Sequence, residues 1–222
     1  MSFIINPYNV TPGVFGDTVV FLGKYPISSS TSTITQNNAN IDAAGQRRIV
    51  SVIAGYMTNG FASLTINGNA ATTHMTPTVP GSGGPGVAIA SLEVLSGTTA
   101  NLVWNFGGGS TKNLILANYA IYGPSTPAVV DTAIGEGATT STTRTLSIDT
   151  TAGGILIGGY FCGSSSAQVT ANTDNYEEAW VSSNHFGCFW EETPSTASGS
   201  SVILTRPNTT NAYFSAAAVS FK

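Results

Sequence analysis

The chain has 222 residues, of which 41% are hydrophobic and only 8% are charged. At this length folding buries roughly 70% of the surface that the unfolded chain exposes, so a core forms without metal ions or disulfides. The formal net charge is −4 and Arg47-Arg48 is the sole adjacent basic pair, which argues against a nucleic-acid partner, because phosphate binding needs clustered Lys and Arg.

Residues 1–16 are predicted to form an extended N-terminal arm. The segment contains Pro7, Pro12, Gly13 and Gly16 and is too rich in Pro and Gly for a central strand. It is also too apolar for a free tail, so we expect it to pack either on its own domain or on a neighbouring subunit. On a neighbouring subunit it would add a strand or fill a groove. The apolar residues of this possible assembly arm are Phe3, Ile4, Ile5, Tyr8, Val10, Val14 and Phe15.

Strand-like runs separated by turn residues fill the rest of the chain, and no window has helical periodicity. Residues 49–56 and 114–122 are almost continuously apolar, which is typical of buried central strands. Asn67-Gly68 predicts a two-residue hairpin between runs 61–66 and 70–75. The other predicted strands are 18–24, 32–36, 87–94, 102–106, 128–134, 143–148, 155–162, 168–170, 177–181, 187–192, 202–204 and 213–221. The sequence therefore predicts an all-β fold, an antiparallel, jelly-roll-like β-sandwich in a single domain over residues 17–222.

Membrane insertion and a disulfide scaffold are both disfavoured. No apolar run approaches the ~20 residues of a membrane helix, and the first residues lack the basic segment of a signal peptide. Cys162 and Cys188 have no zinc-ligand spacing and lie in apolar runs. We expect free, buried thiols, or a bridge between neighbouring strands if the chain meets an oxidising compartment.

Three successions of residues resemble a β-sandwich module of bacteriophage structural proteins. They are Arg48-Ile49-Val50-Ser51-Val52, then Leu64-Thr65-Ile66-Asn67-Gly68 with Ala70-Ala71-Thr72, then Ile89-Ala90-Ser91-Leu92. The resemblance covers roughly residues 47–123 and includes head decoration or cement proteins, spikes and tail-fibre-like proteins. It implies a non-enzymatic and often oligomeric protein on the particle exterior, with a homotrimer as the expected stoichiometry.

An acidic, aromatic stretch is the main candidate for chemistry. It contains five of the eleven acidic residues: Asp174, Glu177, Glu178, Glu191 and Glu192. If 177–181 and 187–192 pair as a hairpin, the carboxyls gather near its open end. Such a cluster suits glycoside hydrolysis, which needs two carboxyls flanking a sugar, or calcium binding. Successive strand residues point to opposite faces, however, so a solvated sheet edge or a subunit contact is the simpler interpretation.

The residues chosen from this stretch as a possible ligand or subunit contact are Trp180, Trp190, Glu178, Glu191 and Tyr176. Trp104, in an apolar run, is predicted to be a core residue. His74 and His185 are predicted to be ordinary surface or loop histidines. The sequence contains no nucleophile elbow and no EF-hand spacing, so we predict no catalytic residue, no cofactor and no metal ligand.

These patterns together predict a virion structural protein, assembled in the host cytoplasm. It would act by contacts with copies of itself and with other virion proteins, as a capsid decoration, a cement protein or a spike. The alternative is a module of a tail fibre or spike that binds a receptor or a host surface glycan through Trp180 and Trp190. A third possibility is a polysaccharide-degrading enzyme that uses Glu178 and Glu191.

Overall fold

A computed structural model describes most of the chain as strands. The described residues are 17–42, 45–57, 60–77, 84–108, 112–123, 127–163, 169–181, 184–193, 196–207 and 212–222. The predicted arm, residues 1–16, lies outside them. Within these ranges there are eighteen strands and no helix, and every strand pair is antiparallel. The predicted all-β class is confirmed.

The strands divide between the two halves of the chain. Those of the first half are β1 (Thr18–Ser29), β2 (Thr33–Asn40), β3 (Arg47–Met57), β4 (Phe61–Ile66), β5 (Asn69–Ala70), β6 (Thr72–Met75), β7 (Gly84–Val94), β8 (Thr99–Phe106) and β9 (Lys112–Tyr122). Those of the second half are β10 (Val129–Gly135), β11 (Ala138–Thr139), β12 (Thr143–Thr150), β13 (Gly154–Cys162), β14 (Thr170–Ala171), β15 (Asn175–Val181), β16 (Asn184–Thr193), β17 (Ala197–Thr205) and β18 (Ala212–Phe221).

The described strands form four sheets, two from each half. Inner sheet 1 has the strand order β1-β9-β3-β7-β6, and outer sheet 1 has the order β2-β8-β4-β5. Inner sheet 2 has the order β10-β18-β13-β16-β15, with β11 also paired to β18, and outer sheet 2 has the order β12-β17-β14. Among the described strands, hydrogen-bonded pairing therefore stays within each half.

The two halves repeat one topology. In each inner sheet the first strand of that half, β1 or β10, lies at one edge and pairs with the last strand of the half, β9 or β18. The next strand in the sheet is β3 or β13, which in the chain follows the first strand of the outer sheet. The contacts between the inner sheets are also reciprocal, since β1 contacts β15 while β10 contacts β6, and β9 contacts β16 while β18 contacts β7. This arrangement is that of an approximate two-fold axis passing between β3 and β13.

The described residues form three hydrophobic cores between the four sheets. The central core lies between the two inner sheets and includes Val52, Val87 and Ile157. A second core fills the space between outer sheet 1 and inner sheet 1, and a third lies between inner sheet 2 and outer sheet 2. Sheet-on-sheet packing, the essential part of the predicted sandwich, is confirmed. The jelly-roll assignment and the single domain over residues 17–222 remain predictions.

Glycines in β13 and β16 let aromatic rings and sheets approach closely. Gly159 faces the central core, where an added Cβ would stand 2.6 Å from Val52 Cγ1. On the other face, Gly158 lies opposite Phe189 and Tyr160 lies opposite Gly187, and each ring occupies the space that a glycine Cβ would fill. These reciprocal pairs pack large rings against bare backbone, which fixes the register of the two strands.

Trp104 is fully buried, as predicted, and its Nε1–H donates to Ser51 Oγ at 2.9 Å. Cys162 and Cys188 are buried and free. Cys188 lies in the central core and Cys162 in the third core, on the opposite face of inner sheet 2. Free thiols are therefore confirmed, and the alternative of a bridge is wrong. None of the described residues belongs to a helix long and apolar enough to span a membrane.

Candidate functional site

The predicted acidic hairpin exists and forms one edge of inner sheet 2. β15 and β16 pair from Val181 with Asn184 at the turn to Asn175 with Trp190 at the open end. β15 is the edge strand, so its outer side has no paired strand among the described residues. The predicted strands 177–181 and 187–192 lie within β15 and β16, which are longer than predicted.

The structure divides the sequence-predicted site between the two faces of this hairpin. Trp190 and Glu177 face inner sheet 1 across the central core, whereas Glu178 faces the third core beside Tyr160. Tyr176, paired with Phe189, lies on the same face as Glu178, and 40% of Tyr176 is exposed. Glu191 follows Trp190 in β16 and so points to the Glu178 side. The side chain of Trp180 lies outside the described residues.

Trp190 packs as part of the joint between the two halves. Its ring stacks on Phe21 of β1, with centroids 4.8 Å apart and planes 16° apart. The Trp190 ring also makes a T-shaped contact with Tyr119 of β9, with centroids 5.4 Å apart. One face of the ring is covered by Phe21 and the ring packs against the central core, so this geometry gives Trp190 a packing role.

Lys24 and the hairpin form a polar link beside that aromatic cluster. Lys24 Nζ lies 2.7 Å from Glu177 Oε2 and also donates to the backbone oxygen of Glu178. About a third of each side chain is exposed, at 33% for Lys24 and 39% for Glu177. An ion pair with this exposure contributes about 0–1 kcal/mol, because water and salt screen it.

Glu178 and Glu191 are half-buried carboxyls with pKa values above the ordinary value of 4.5. Burial raises the pKa of Glu178, while the Tyr160 hydroxyl, which donates to Glu178 Oε1 at 3.0 Å, and Lys24 lower it. Burial also raises the pKa of Glu191, and the neighbouring Asp174 raises it further. Such shifts occur at catalytic acids and also in structural networks. Here the Glu178 carboxylate has a structural partner in Tyr160.

Replacing Glu178 with Gln is expected to stabilise the protein slightly at pH 7–8. Because burial raises the pKa of Glu178 in the folded protein, the charged carboxylate lowers the free energy of unfolding at pH values above that pKa. This destabilisation disappears below about pH 4. Gln stays neutral and still accepts from Tyr160, so the gain is under about 1 kcal/mol at pH 7–8 after allowance for screening. Denaturant melts of wild type and Glu178→Gln at pH 4, 6 and 8 measure this difference.

The matched control is Glu192→Gln, in the same hairpin at an exposed position. It should change stability by less than about 0.5 kcal/mol at each pH. A gain from Glu178→Gln that is equal at pH 4 and pH 8 would contradict the assigned burial of this charge.

No family model matches the chain, and comparison with curated proteins finds no significantly similar sequence.

A second polar cluster, missed by the sequence analysis, joins the halves at the other end of the central core. His74 Nε2 lies 2.7 Å from Ser91 Oγ, and Arg48 Nη1–H donates to the same oxygen at 3.0 Å. Arg48 Nε–H also donates to the backbone oxygen of Pro127, and the His74 ring meets Phe221 edge-on. Burial lowers the pKa of His74, and the positive charge of Arg48 lowers it further.

Strand register shows that this polar cluster lies, in the first half, at the position that the aromatic cluster around Trp190 has in the second half. Val50 is the fourth residue of β3 and pairs with Ser91, while Ile157 is the fourth residue of β13 and pairs with Trp190. Ser91 thus occupies in the first half the position that Trp190 occupies in the second. Ser91 is fully buried, which keeps its hydroxyl away from any bulky substrate in this conformation. The cluster is therefore a polar version of the same structural joint.

His185 corrects one further prediction, because this histidine is buried in β16 rather than exposed on the surface. The signal was available in its apolar neighbours, Phe186 and Cys188, which mark a strand interior. In the ranges that the structure describes, no group of three or more His, Cys, Asp or Glu side chains is placed to hold a metal ion.

Proposed function

We propose that this protein is a non-enzymatic structural protein of a bacteriophage virion exterior, a capsid decoration, cement or spike protein. It works by contacts between its folded surface and copies of itself or other virion proteins. The resemblance of residues 47–123 to phage β-sandwich modules supports the class of protein. The chemistry of one outer face supports the mode of action.

That face, the exposed side of outer sheet 1, is the observation that carries the proposal. None of its strands, β2, β4, β5 and β8, contains a charged residue. Thr33 Oγ1–H donates to Asn105 Oδ1, and Asn105 Nδ2–H donates to Ser63 Oγ, each at 3.2 Å. These bonds run across three neighbouring strands, so the side chains form an ordered sheet of hydroxyls and amides.

A neutral hydrogen-bonding face suits packing against another protein. Its burial avoids the large desolvation penalty of charged groups. The resulting contact depends little on ionic strength, because screening acts on charges. Thr35 and Asn101 are exposed on this face and are available to a neighbouring subunit.

The proposal predicts self-association that is insensitive to salt and is lost on adding charge to outer sheet 1. Wild type, expected to be a homotrimer, should keep its native mass between 50 mM and 500 mM NaCl when measured by light scattering. Thr35→Lys should weaken association at least tenfold, since the ammonium would have to be desolvated in the contact. The control Thr73→Lys lies on an exposed edge strand outside this face and should have no effect.

A wild-type monomer at every concentration and salt would contradict self-association through this face. Equal loss of association in Thr35→Lys and Thr73→Lys would show that the contact does not depend specifically on outer sheet 1. The same hydroxyls and amides could hydrogen-bond a saccharide, which keeps the glycan-binding module as the second candidate. Binding of a monomeric wild type to a glycan array, abolished by Thr35→Lys, would favour that function instead.

A further inference from the structure

A β-bulge directs His74 into the joint between the two halves. The register of β6 on β7 shifts between Thr73 and Met75, so His74 is an extra residue in this edge strand. Met75 packs in the central core, and the adjacent His74 faces the same side, since its ring meets Phe221 of β18 edge-on. Two successive side chains of β6 therefore face inner sheet 2, where regular alternation would allow one.

One hydroxyl group holds two basic side chains in this cluster. His74 Nε2 lies 2.7 Å from Ser91 Oγ, and Arg48 Nη1–H donates to the same oxygen at 3.0 Å. A serine hydroxyl has one proton and two lone pairs. Arg48 is always charged and only donates, so it occupies one lone pair. A neutral His74 completes the set, either by accepting the Ser91 proton or by donating to the second lone pair.

Protonation of His74 places a second cation against this oxygen. Imidazolium donates through both ring nitrogens, so Ser91 Oγ would accept from two positive groups at once. His74 and Arg48 are both half-buried, where repulsion between charges is screened less than in water. Burial and the charge of Arg48 accordingly hold the pKa of His74 below its ordinary value of 6.5.

The charged residues of β3 and β7 were located relative to His74 by strand register. Arg48 and Glu93 lie opposite one another, and Glu93 raises the pKa of Arg48. Glu93 Oε1 also accepts from Gln46 Nε2 at 2.8 Å. Arg47, the next residue of β3, points to the other face and donates to backbone oxygens there. Among these groups, Arg48 is the one whose charge acts on His74.

The second half places its charged groups in other contacts. The Asp131 carboxylate of β10 accepts from a backbone N–H of β12, on the side of outer sheet 2. Glu136 lies beside Gly86, near the start of β7. β18 contains no charged residue, and Lys222, which follows it, donates to the backbone oxygen of Gly153. Arg48 therefore decides how unfavourable the protonation of His74 is.

The cluster is shared by the two halves. Ser91, His74 and Arg48 belong to the first half, whereas Pro127 and Phe221 belong to the second. Arg48 Nε–H donates to the backbone oxygen of Pro127, and the His74 ring contacts Phe221. Because no described strand pair joins the halves, the joint depends on side-chain packing and on clusters such as this one. Movement of either basic side chain away from Ser91 thus disturbs a contact between the halves.

We propose that His74 is an acid-sensitive switch in the joint between the two halves. Its protonation in mild acid breaks the cluster, and the halves then separate more readily while each keeps its own sheets. This inference concerns the folded chain and does not rest on the proposed function.

The direction of the pH dependence follows from the pKa of His74. Because that pKa is lowered in the folded protein, the stability of the joint is complete above about pH 6.5 and decreases as the pH falls towards the folded value. Glu178 and Glu191 act in the opposite direction. Their pKa values are raised, so their protonation stabilises the folded state as the pH falls.

The two native thiols provide the test. Cys188 lies in the central core between the halves, whereas Cys162 lies in the third core within the second half. Separation of the halves exposes Cys188 alone, and global unfolding exposes both. The labelling rate of each thiol by 4,4′-dithiodipyridine is measured on the intact protein at pH 5 and pH 7.5, with peptide mass spectrometry to assign the label. Each rate is divided by that of a free cysteine peptide at the same pH.

Cys188 should label at least about threefold faster at pH 5 than at pH 7.5, and at most about 30-fold, the limit for one group of pKa 6.5. Cys162 should change by less than about twofold. His74→Gln should reduce the acceleration at Cys188 to less than about twofold, because Gln hydrogen-bonds Ser91 without taking a charge. His185→Gln, at the other histidine of the chain, is the matched control and should keep the acceleration.

Arg48→Gln separates the charge effect from loss of the histidine. It keeps His74 but removes the fixed cation, so the acceleration should fall to less than half of the wild-type value. Far-UV circular dichroism at pH 7.5 checks that the variants fold, and Arg48→Gln gives the result alone if His74→Gln does not. Equal acceleration of Cys162 and Cys188 would overturn the proposal, as would no acceleration in wild type. An acceleration that persists in a folded His74→Gln, or in Arg48→Gln at its full size, would also contradict it.

Discussion

Gly159→Ala is expected to lower the free energy of unfolding by about 1–3 kcal/mol, the usual effect of overpacking a core. The new Cβ would stand 2.6 Å from Val52 Cγ1 and 3.3 Å from Val87 Cγ1 in the opposite sheet. Since all three atoms belong to packed strands of the central core, the inner sheets must move apart or the side chains must leave their rotamers. Chemical denaturation of wild type and variant measures the loss.

A double-mutant cycle shows whether the clash with Val52 is the cause. Val52→Ala alone leaves a cavity and destabilises the protein, but combined with Gly159→Ala it makes room for the new methyl group. The decreases in the free energy of unfolding of the two single variants should therefore add up to more than the decrease in the double variant, by at least about 1 kcal/mol. Val50→Ala, elsewhere in the same core, is the control partner and should add to Gly159→Ala within about 0.5 kcal/mol. Additivity in both cycles would contradict the contact.

Trp190→Ala is expected to destabilise the protein by about 3 kcal/mol, near the lower end of the range for Trp, because its ring is only partly buried. The substitution removes the ring that stacks on Phe21 and meets Tyr119, so the loss falls on the joint between the halves. We expect a lower Tm and a broader transition in calorimetry, as the halves become less strongly coupled.

Tyr176→Ala is the matched control, since it removes an exposed aromatic ring from the same hairpin. Its effect should be below about 0.5 kcal/mol. Trp190→Phe keeps a ring against Phe21 and should recover part of the loss. If Trp190→Ala were as mild as Tyr176→Ala, the tryptophan would be free to serve as a ligand platform, as the sequence allowed.

The position of each strand could be predicted from local sequence, whereas the order of the layers could not. Residues 61–66 form a strand with the predicted bounds, and residues 114–122 are buried within β9. An apolar run indicates burial but not which sheet will cover it. Two inner sheets, each buried on both faces, explain why the sequence contains more strand-like runs than an eight-stranded sandwich needs.

The candidate site shows the same limit at the level of single residues. Alternation along β15 correctly predicts that Glu177 and Glu178 point to opposite faces. The contact partners come from distant parts of the sequence. Lys24 is 153 residues from Glu177, and in the second polar cluster Ser91 is 43 residues from Arg48. Only sheet register creates these contacts, so composition could mark the acidic stretch but could not separate a structural joint from a ligand site.

The repeated topology also sets what kinds of assembly are open to this protein. The four sheets form a stack with outer sheet 1 at one end and outer sheet 2 at the other. If the halves were two identical chains related by a true two-fold axis, both ends of this stack would present the same face. Contacts with neighbours would then be the same at both ends. In this chain the outer sheets have diverged: outer sheet 1 has no charged strand residue, whereas β12 of outer sheet 2 contains Arg144 and Asp149. A stack with unlike ends has polarity, and it can join two different neighbours on opposite sides.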